Sequence, residues 1–72
     1  MASHARKIRE RRFYFDELMS EGCQCGKSKR SGYSFWFSCY WKLPMHMQRD
    51  LYKLIGEGYE EAYEAAVEFL TN

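Results

Sequence analysis

Two cysteines that flank a single residue and precede a glycine, Cys23-Gln24-Cys25-Gly26, constrain the fold of this chain most. The spacing and the glycine predict a tight turn and exclude a regular helix at this point. Two thiolates on a turn form one half of a tetrahedral zinc site, and a third thiolate is available from Cys39 further along the chain. The sequence therefore predicts a metal site, with zinc as the ion, at Cys23, Cys25 and Cys39.

The chain is short enough to need such a site. Its 72 residues form one domain, 1–72, that buries little surface and therefore benefits from a metal, a disulfide or a partner subunit. No apolar run is long enough to cross a membrane or to act as a signal peptide, so we expect a soluble protein in the cytoplasm. In that reducing compartment, three cysteines favour thiols or metal ligands over disulfides.

The remaining pattern predicts a small α+β fold. Residues 1–5 have no pattern and are expected to be disordered, and a short helix is expected over 16–21 with Asp16 as its N-cap. Alternating aromatic residues over 33–40 predict a strand, so that 23–40 form a β-hairpin that carries the cysteine knuckle. Pro44 suits the first turn of a helix, and apolar residues at helical spacing predict two packed antiparallel helices over 44–70, joined at Gly56 and Gly58.

Positive charge is concentrated in the first part of the chain. Residues 1–42 contain nine Lys and Arg against four acidic residues, whereas residues 43–72 contain two against six. Clustered cations neutralise phosphates, and neighbouring aromatic rings (Phe13, Tyr14, Tyr33, Phe35, Trp36) can stack on exposed bases. The predicted nucleic-acid contacts are Arg6, Lys7, Arg9, Arg11, Arg12, Lys27, Lys29 and Arg30.

Several motifs together carry a family resemblance. They are Cys23-Gln24-Cys25-Gly26-Lys27, the stretch from Ser34 to Tyr40, Leu43-Pro44, and Gly58-Tyr59-Glu60-Glu61-Ala62-Tyr63. In this order they resemble small zinc-ribbon-like proteins of bacteriophages and prophages, over residues 11–70. The resemblance implies a metal site in a bacterial host cell and implies no enzymatic activity.

The sequence departs from that pattern at Trp36, where the family places the first cysteine of its second pair. An indole cannot bind zinc, so three alternatives follow. A histidine supplies the fourth ligand, with His46 the better candidate and His4 the poorer; or the ion has three protein ligands and a water; or the metal is lost and Trp36 fills the space.

These observations favour a non-enzymatic binding module. The chain has no glycine-rich phosphate loop, dinucleotide fingerprint or nucleophile elbow, and no carboxylate is placed beside the cysteines to act as a general base. We expect a module that contacts nucleic acid through its basic face. The alternative is a protein-interaction or inhibitor module that targets a host protein, and the oligomeric state is left open.

Overall fold

A computed structural model describes residues 8–71 of the chain. This part contains four helices and no β-strand, so the predicted α+β class is wrong. The predicted disorder of residues 1–5 and the predicted roles of His4, Arg6 and Lys7 lie outside the described residues. The helices are α1 (Arg11–Met19), α2 (Phe37–Lys42), α3 (Met45–Asp50) and α4 (Tyr59–Thr71).

Helix α1 begins five residues earlier than the sequence predicted. Asp16 is exposed within this helix and does not cap it, and Glu10 stands at the N-cap without a side-chain hydrogen bond. The helix turns Tyr14 and Leu18, four residues apart, towards the core, where Tyr14 is fully buried. The tertiary contact of this face therefore stabilises α1, since no side chain caps its start.

The predicted hairpin over 23–40 is replaced by a tight loop followed by α2. A single antiparallel bridge between Gly22 and Ser28 is the only strand-like pairing within residues 8–71. The residues that turn inwards are Phe35, Cys39 and Leu43, which are each no more than 5% exposed. Residues four apart share a face in a helix and in a strand, but a strand would also place Tyr33 and Phe37 on the same face as Phe35, and both of these rings point outwards. The burial pattern therefore has the period of a helix.

The C-terminal helical pair is present, but its first helix is shorter than predicted. Helix α3 ends at Asp50 and contacts α4, and turns occupy residues 51–58. Gly58 has a φ angle of 112°, and a Cβ atom there would lie 2.8 Å from the Lys53 side chain. A left-handed turn that suits glycine therefore ends this connection and starts α4. The predicted apolar stripe of α4 is confirmed by the burial of Tyr59, Tyr63 and Ala66.

Aromatic rings form the centre of the core. The Tyr63 ring stacks on Phe35 with centroids 5.4 Å apart, meets Tyr14 edge-on at 5.8 Å and lies 6.0 Å from the Tyr59 ring. The polar ends of two of these rings have partners: the Tyr14 hydroxyl donates to Glu64 at 2.7 Å, and the Tyr59 hydroxyl lies 2.7 Å from Ser34 Oγ. The core thus buries tyrosine rings without leaving these hydroxyls unsatisfied.

None of the helices within residues 8–71 combines the length and the apolar character that a membrane span requires.

Candidate metal centre

The predicted tight turn at the first two cysteines is present. The Gly26 N–H donates to the Cys23 carbonyl at 2.9 Å, and the Cys23 N–H donates to the Lys27 carbonyl at 2.7 Å. Gly26 has a φ angle of 95°, a conformation that glycine adopts without strain. These two hydrogen bonds fold 23–27 into a closed loop, which we name the cysteine loop.

Helix α2 brings the third cysteine to this loop. Cys39 is buried on the inner face of α2, Cys23 is buried in the loop, and Cys25 is exposed. The three sulfur atoms lie within 4.8 Å of one another, close enough for one ion to bind all three. No disulfide joins these residues. The prediction that Cys23, Cys25 and Cys39 form one potential metal site is therefore confirmed as geometry.

The thiols differ in their readiness to lose a proton. A backbone hydrogen bond from Lys27 is the main cause that lowers the pKa of Cys25, and the side chains of Cys39 and Cys23 add to this effect. Burial is the main cause that raises the pKa of Cys39 to about 11, and hydrogen bonds to the two other cysteines contribute to this value. Cys39 therefore carries its proton at neutral pH and must release it when an ion binds.

Trp36 supplies a polar group at the edge of this cluster. Its indole nitrogen is buried, and no partner within residues 8–71 completes a hydrogen bond with its N–H. The nitrogen lies near enough to Cys25 to add a minor contribution to the lowered pKa of that thiol. A thiol is a weak acceptor, whereas an ionised group accepts strongly. The orphaned N–H thus fits a cluster in which Cys25 is a thiolate, the form that a bound ion requires.

The fourth ligand is not among the residues brought together. His46 is exposed near the start of α3 and does not belong to the group formed by the three sulfur atoms. The assignment of His46 as a ligand therefore stays a prediction, as does the alternative with three thiolates and a water.

One of the predicted nucleic-acid contacts has a different role. Lys29 is only 8% exposed, and its ammonium donates to the carbonyls of Ser20 at 2.6 Å and Leu18 at 3.0 Å, at the end of α1. Burial is the main cause that lowers the pKa of this lysine. The last carbonyls of a helix lack partners within it, so Lys29 holds the C-terminal end of α1 against the segment that carries the cysteine loop.

The other described cations are exposed. Arg9 lies over the Phe13 ring at 4.2 Å, Arg12 is 3.8 Å from Asp16, and the Arg11 guanidinium approaches Glu60 at 4.0 Å. Lys27 and Arg30 are exposed in the segment around the cysteine loop. The Arg12–Asp16 pair is exposed on both sides and therefore weak, and the Arg11 guanidinium is itself 77% exposed although its partner Glu60 is buried. These cations therefore remain available to phosphates.

Sequence reasoning missed a groove beside the metal cluster. It lies between 28–30 and α2, has a volume of about 580 Å³, and is lined mainly by aromatic side chains. Of the rings that were expected to stack on bases, Tyr14 and Phe35 are buried in the core, and Phe35 also borders this groove. Tyr33 and Trp36 line the groove. The exposed rings Tyr33, Phe37 and Trp41 recur every four residues, and that period could have revealed an outward-facing aromatic stripe.

Comparisons with protein-family models, with curated proteins and with solved structures each return no match to this chain. The resemblance to small phage proteins therefore stays a prediction.

Proposed function

We propose that the chain is a small binding module in which Cys23, Cys25 and Cys39 hold one structural zinc ion. The observation that carries this proposal is the approach of three sulfur atoms to within 4.8 Å without a disulfide. A ligand set made only of thiolates favours a soft or borderline ion such as zinc over magnesium or calcium. The ion would join the cysteine loop to α2 across a long separation in sequence, and we assign no reaction to it.

Cobalt(II) is a direct probe of this site because thiolate ligands give it a strong near-ultraviolet charge-transfer band. Titration of the reduced protein with Co²⁺ is expected to saturate at one equivalent, and Zn²⁺ is expected to displace the cobalt. Cys39→Ser should lose the band, whereas Ser38→Ala, a change at the neighbouring position, should keep it. An unchanged band in Cys39→Ser would exclude this ligand set.

We further propose that the module binds nucleic acid through its exposed cations. Arg11 and Arg12 lie at the start of α1, and Arg30 follows Lys29, which contacts the end of the same helix. With nine residues, α1 spans about 13 Å. The cations at its two ends can therefore meet separate phosphates of one strand, a sequence-independent interaction that is sensitive to salt.

Binding to labelled DNA and RNA at several salt concentrations tests this proposal. The double variant Arg12→Gln, Arg30→Gln should bind more weakly and reduce the slope of log K against log salt by about one for each phosphate that is no longer neutralised. Arg49→Gln, an exposed arginine in α3, is the matched control and should leave binding unchanged. The absence of binding at low salt would contradict a nucleic-acid function and favour a protein partner.

A further inference from the structure

The groove beside α2 combines exposed aromatic rings with positive charge. Its main aromatic lining consists of Tyr33, Trp36, Phe37, Tyr40, Trp41 and Tyr52. Several of these rings are largely exposed, among them Trp41 at 60% and Tyr52 at 77%. Exposure of several aromatic rings to water is unfavourable in free energy, so a contiguous patch of them indicates a binding surface.

The rings of the groove are held in place by contacts with one another. Trp41 meets Tyr40 edge-on at 5.5 Å and Phe37 at 6.0 Å. The hydroxyls of Tyr40 and Tyr52 lie 3.4 Å apart, which links α2 to the turn after α3. Rings that are already positioned lose less side-chain entropy when a flat ligand stacks on them.

The charges of the lining select the ligand. The exposed Arg30 supplies the available positive charge of the lining, because Lys29, which also borders the groove, has its ammonium on the carbonyls of Ser20 and Leu18. No carboxylate lines the groove. A ligand that is both aromatic and anionic complements these walls. An unpaired nucleotide has both properties, because its base stacks on aromatic rings and its phosphate meets a cation. A proline-rich peptide also binds aromatic grooves, but the positive charge of Arg30 adds nothing to its recognition.

We propose that this groove binds the unpaired bases of a single-stranded nucleic acid, an inference that rests on the nucleic-acid function proposed above. Bases stack on Trp41 and Tyr52, and Arg30 at the wall contacts the backbone. The groove volume, about 580 Å³, falls in the range of sites that enclose small ligands. Paired bases stay stacked inside a duplex and cannot enter, so the groove makes the module selective for single strands.

Fluorescence anisotropy with a labelled oligothymidylate and a labelled duplex of equal length tests this proposal on the full chain. The single strand is expected to bind more tightly than the duplex. Trp41→Ala and, independently, Tyr52→Ala should each weaken single-strand binding by about 5- to 150-fold, the usual effect of losing one stacked base. Phe69→Ala, a partly exposed phenylalanine on α4 outside the groove, should leave binding unchanged. Melting curves of all three variants report whether they fold.

Three results would overturn the inference, and they separate it from the function on which it rests. In the first result, both probes bind equally, and this binding is abolished in the arginine variants but kept in Trp41→Ala and Tyr52→Ala. That result would support the nucleic-acid function but show that the groove takes no part in it. No binding of either probe at low salt removes both. Sedimentation of the free protein as a dimer that Trp41→Ala dissociates would show that a second copy covers the groove.

Discussion

The aromatic core and the cysteine cluster are stabilised by different means. In the core, Tyr63 contacts three other buried rings, and the hydroxyls at its edge find partners within the chain. In the cluster, three thiols meet without a disulfide, and the neighbouring indole N–H of Trp36 has no partner among the described residues. The polar groups of the core therefore have their partners within the chain, whereas the thiols of the cluster form a potential site that a bound ion would complete.

This difference separates packing from ligand binding in one small domain. Buried aromatic area stabilises the core without any added group. Closely spaced sulfur atoms contribute little by packing, but they bind an ion tightly once deprotonated, and that binding energy becomes folding energy. Substitutions in the core should therefore destabilise the protein whether or not zinc is present, whereas changes in the cluster should act through the metal.

Truncation of Tyr63 should destabilise the protein most. Tyr63→Ala removes a ring that contacts Tyr14, Phe35 and Tyr59, and we expect a loss of about 3–5 kcal/mol in the free energy of unfolding. The loss should be the same with and without excess zinc, as measured by urea unfolding. Tyr52→Ala is the matched control because Tyr52 is exposed, and it should change the stability by less than about 0.5 kcal/mol. A similar loss in both variants would contradict the assigned core.

Metal removal should have the next largest effect. Free zinc at one hundred times its dissociation constant stabilises the folded state by about 2.7 kcal/mol, so a strong chelator should lower Tm by roughly 10–20 °C. The same chelator should have no effect on Cys39→Ser, because that variant has already lost the site. A chelator effect that persists in Cys39→Ser would place the ion elsewhere.

Replacement of Trp36 should weaken the site without abolishing it. Trp36→Phe keeps an aromatic side chain, smaller than the indole, but removes the N–H beside Cys25, and the loss of such a supporting donor costs about tenfold in metal affinity. Competition with a chromophoric chelator measures this change. Trp41→Phe is the matched control, since Trp41 is exposed in the groove, and it should bind zinc as the wild type does. Equal affinities for all three proteins would show that Trp36 only fills space.

Glu60 should give the smallest effect and one that depends on pH. Hydrogen bonds from the Gly56 N–H are the main cause that lowers the pKa of Glu60 from its ordinary 4.5, with Arg11 a lesser contributor. This carboxylate therefore stabilises the fold above pH 4.5, and the contribution is lost as the pH falls through the lower folded value. Glu60→Gln should lower Tm at neutral pH and match the wild type in acid. Glu61→Gln, an exposed neighbour, should match at both pH values.

The sequence predicted the structure best where the spacing of residues is compatible with only one local conformation. Cys-x-Cys-Gly requires a turn, and the apolar stripe of α4 continues over a full helix, so both predictions are confirmed. The stretch from 33 to 43 misled because aromatic residues suit strands and alternate over a short distance. The fold follows a second pattern in the same stretch, in which Phe35, Cys39 and Leu43 point inwards, because these three side chains pack in the core.

Lys29 shows what local patterns cannot predict. Beside Lys27 and Arg30 it looks like a phosphate-binding residue, yet its ammonium is buried on the carbonyls at the end of α1. That role depends on where α1 ends and on how the chain returns to it. The groove likewise forms only because the fold brings Tyr52 next to Tyr40 of α2, and a local sequence pattern does not predict that contact.

Native mass spectrometry of the reduced chain with zinc is the most direct test of the central claim that the cysteine cluster is a metal site. We predict one tightly bound zinc ion per wild-type chain, no zinc ion on Cys39→Ser, and one zinc ion on Tyr52→Ala. A wild-type chain that stays free of zinc, or a Cys39→Ser chain that still retains one ion, would contradict the claim.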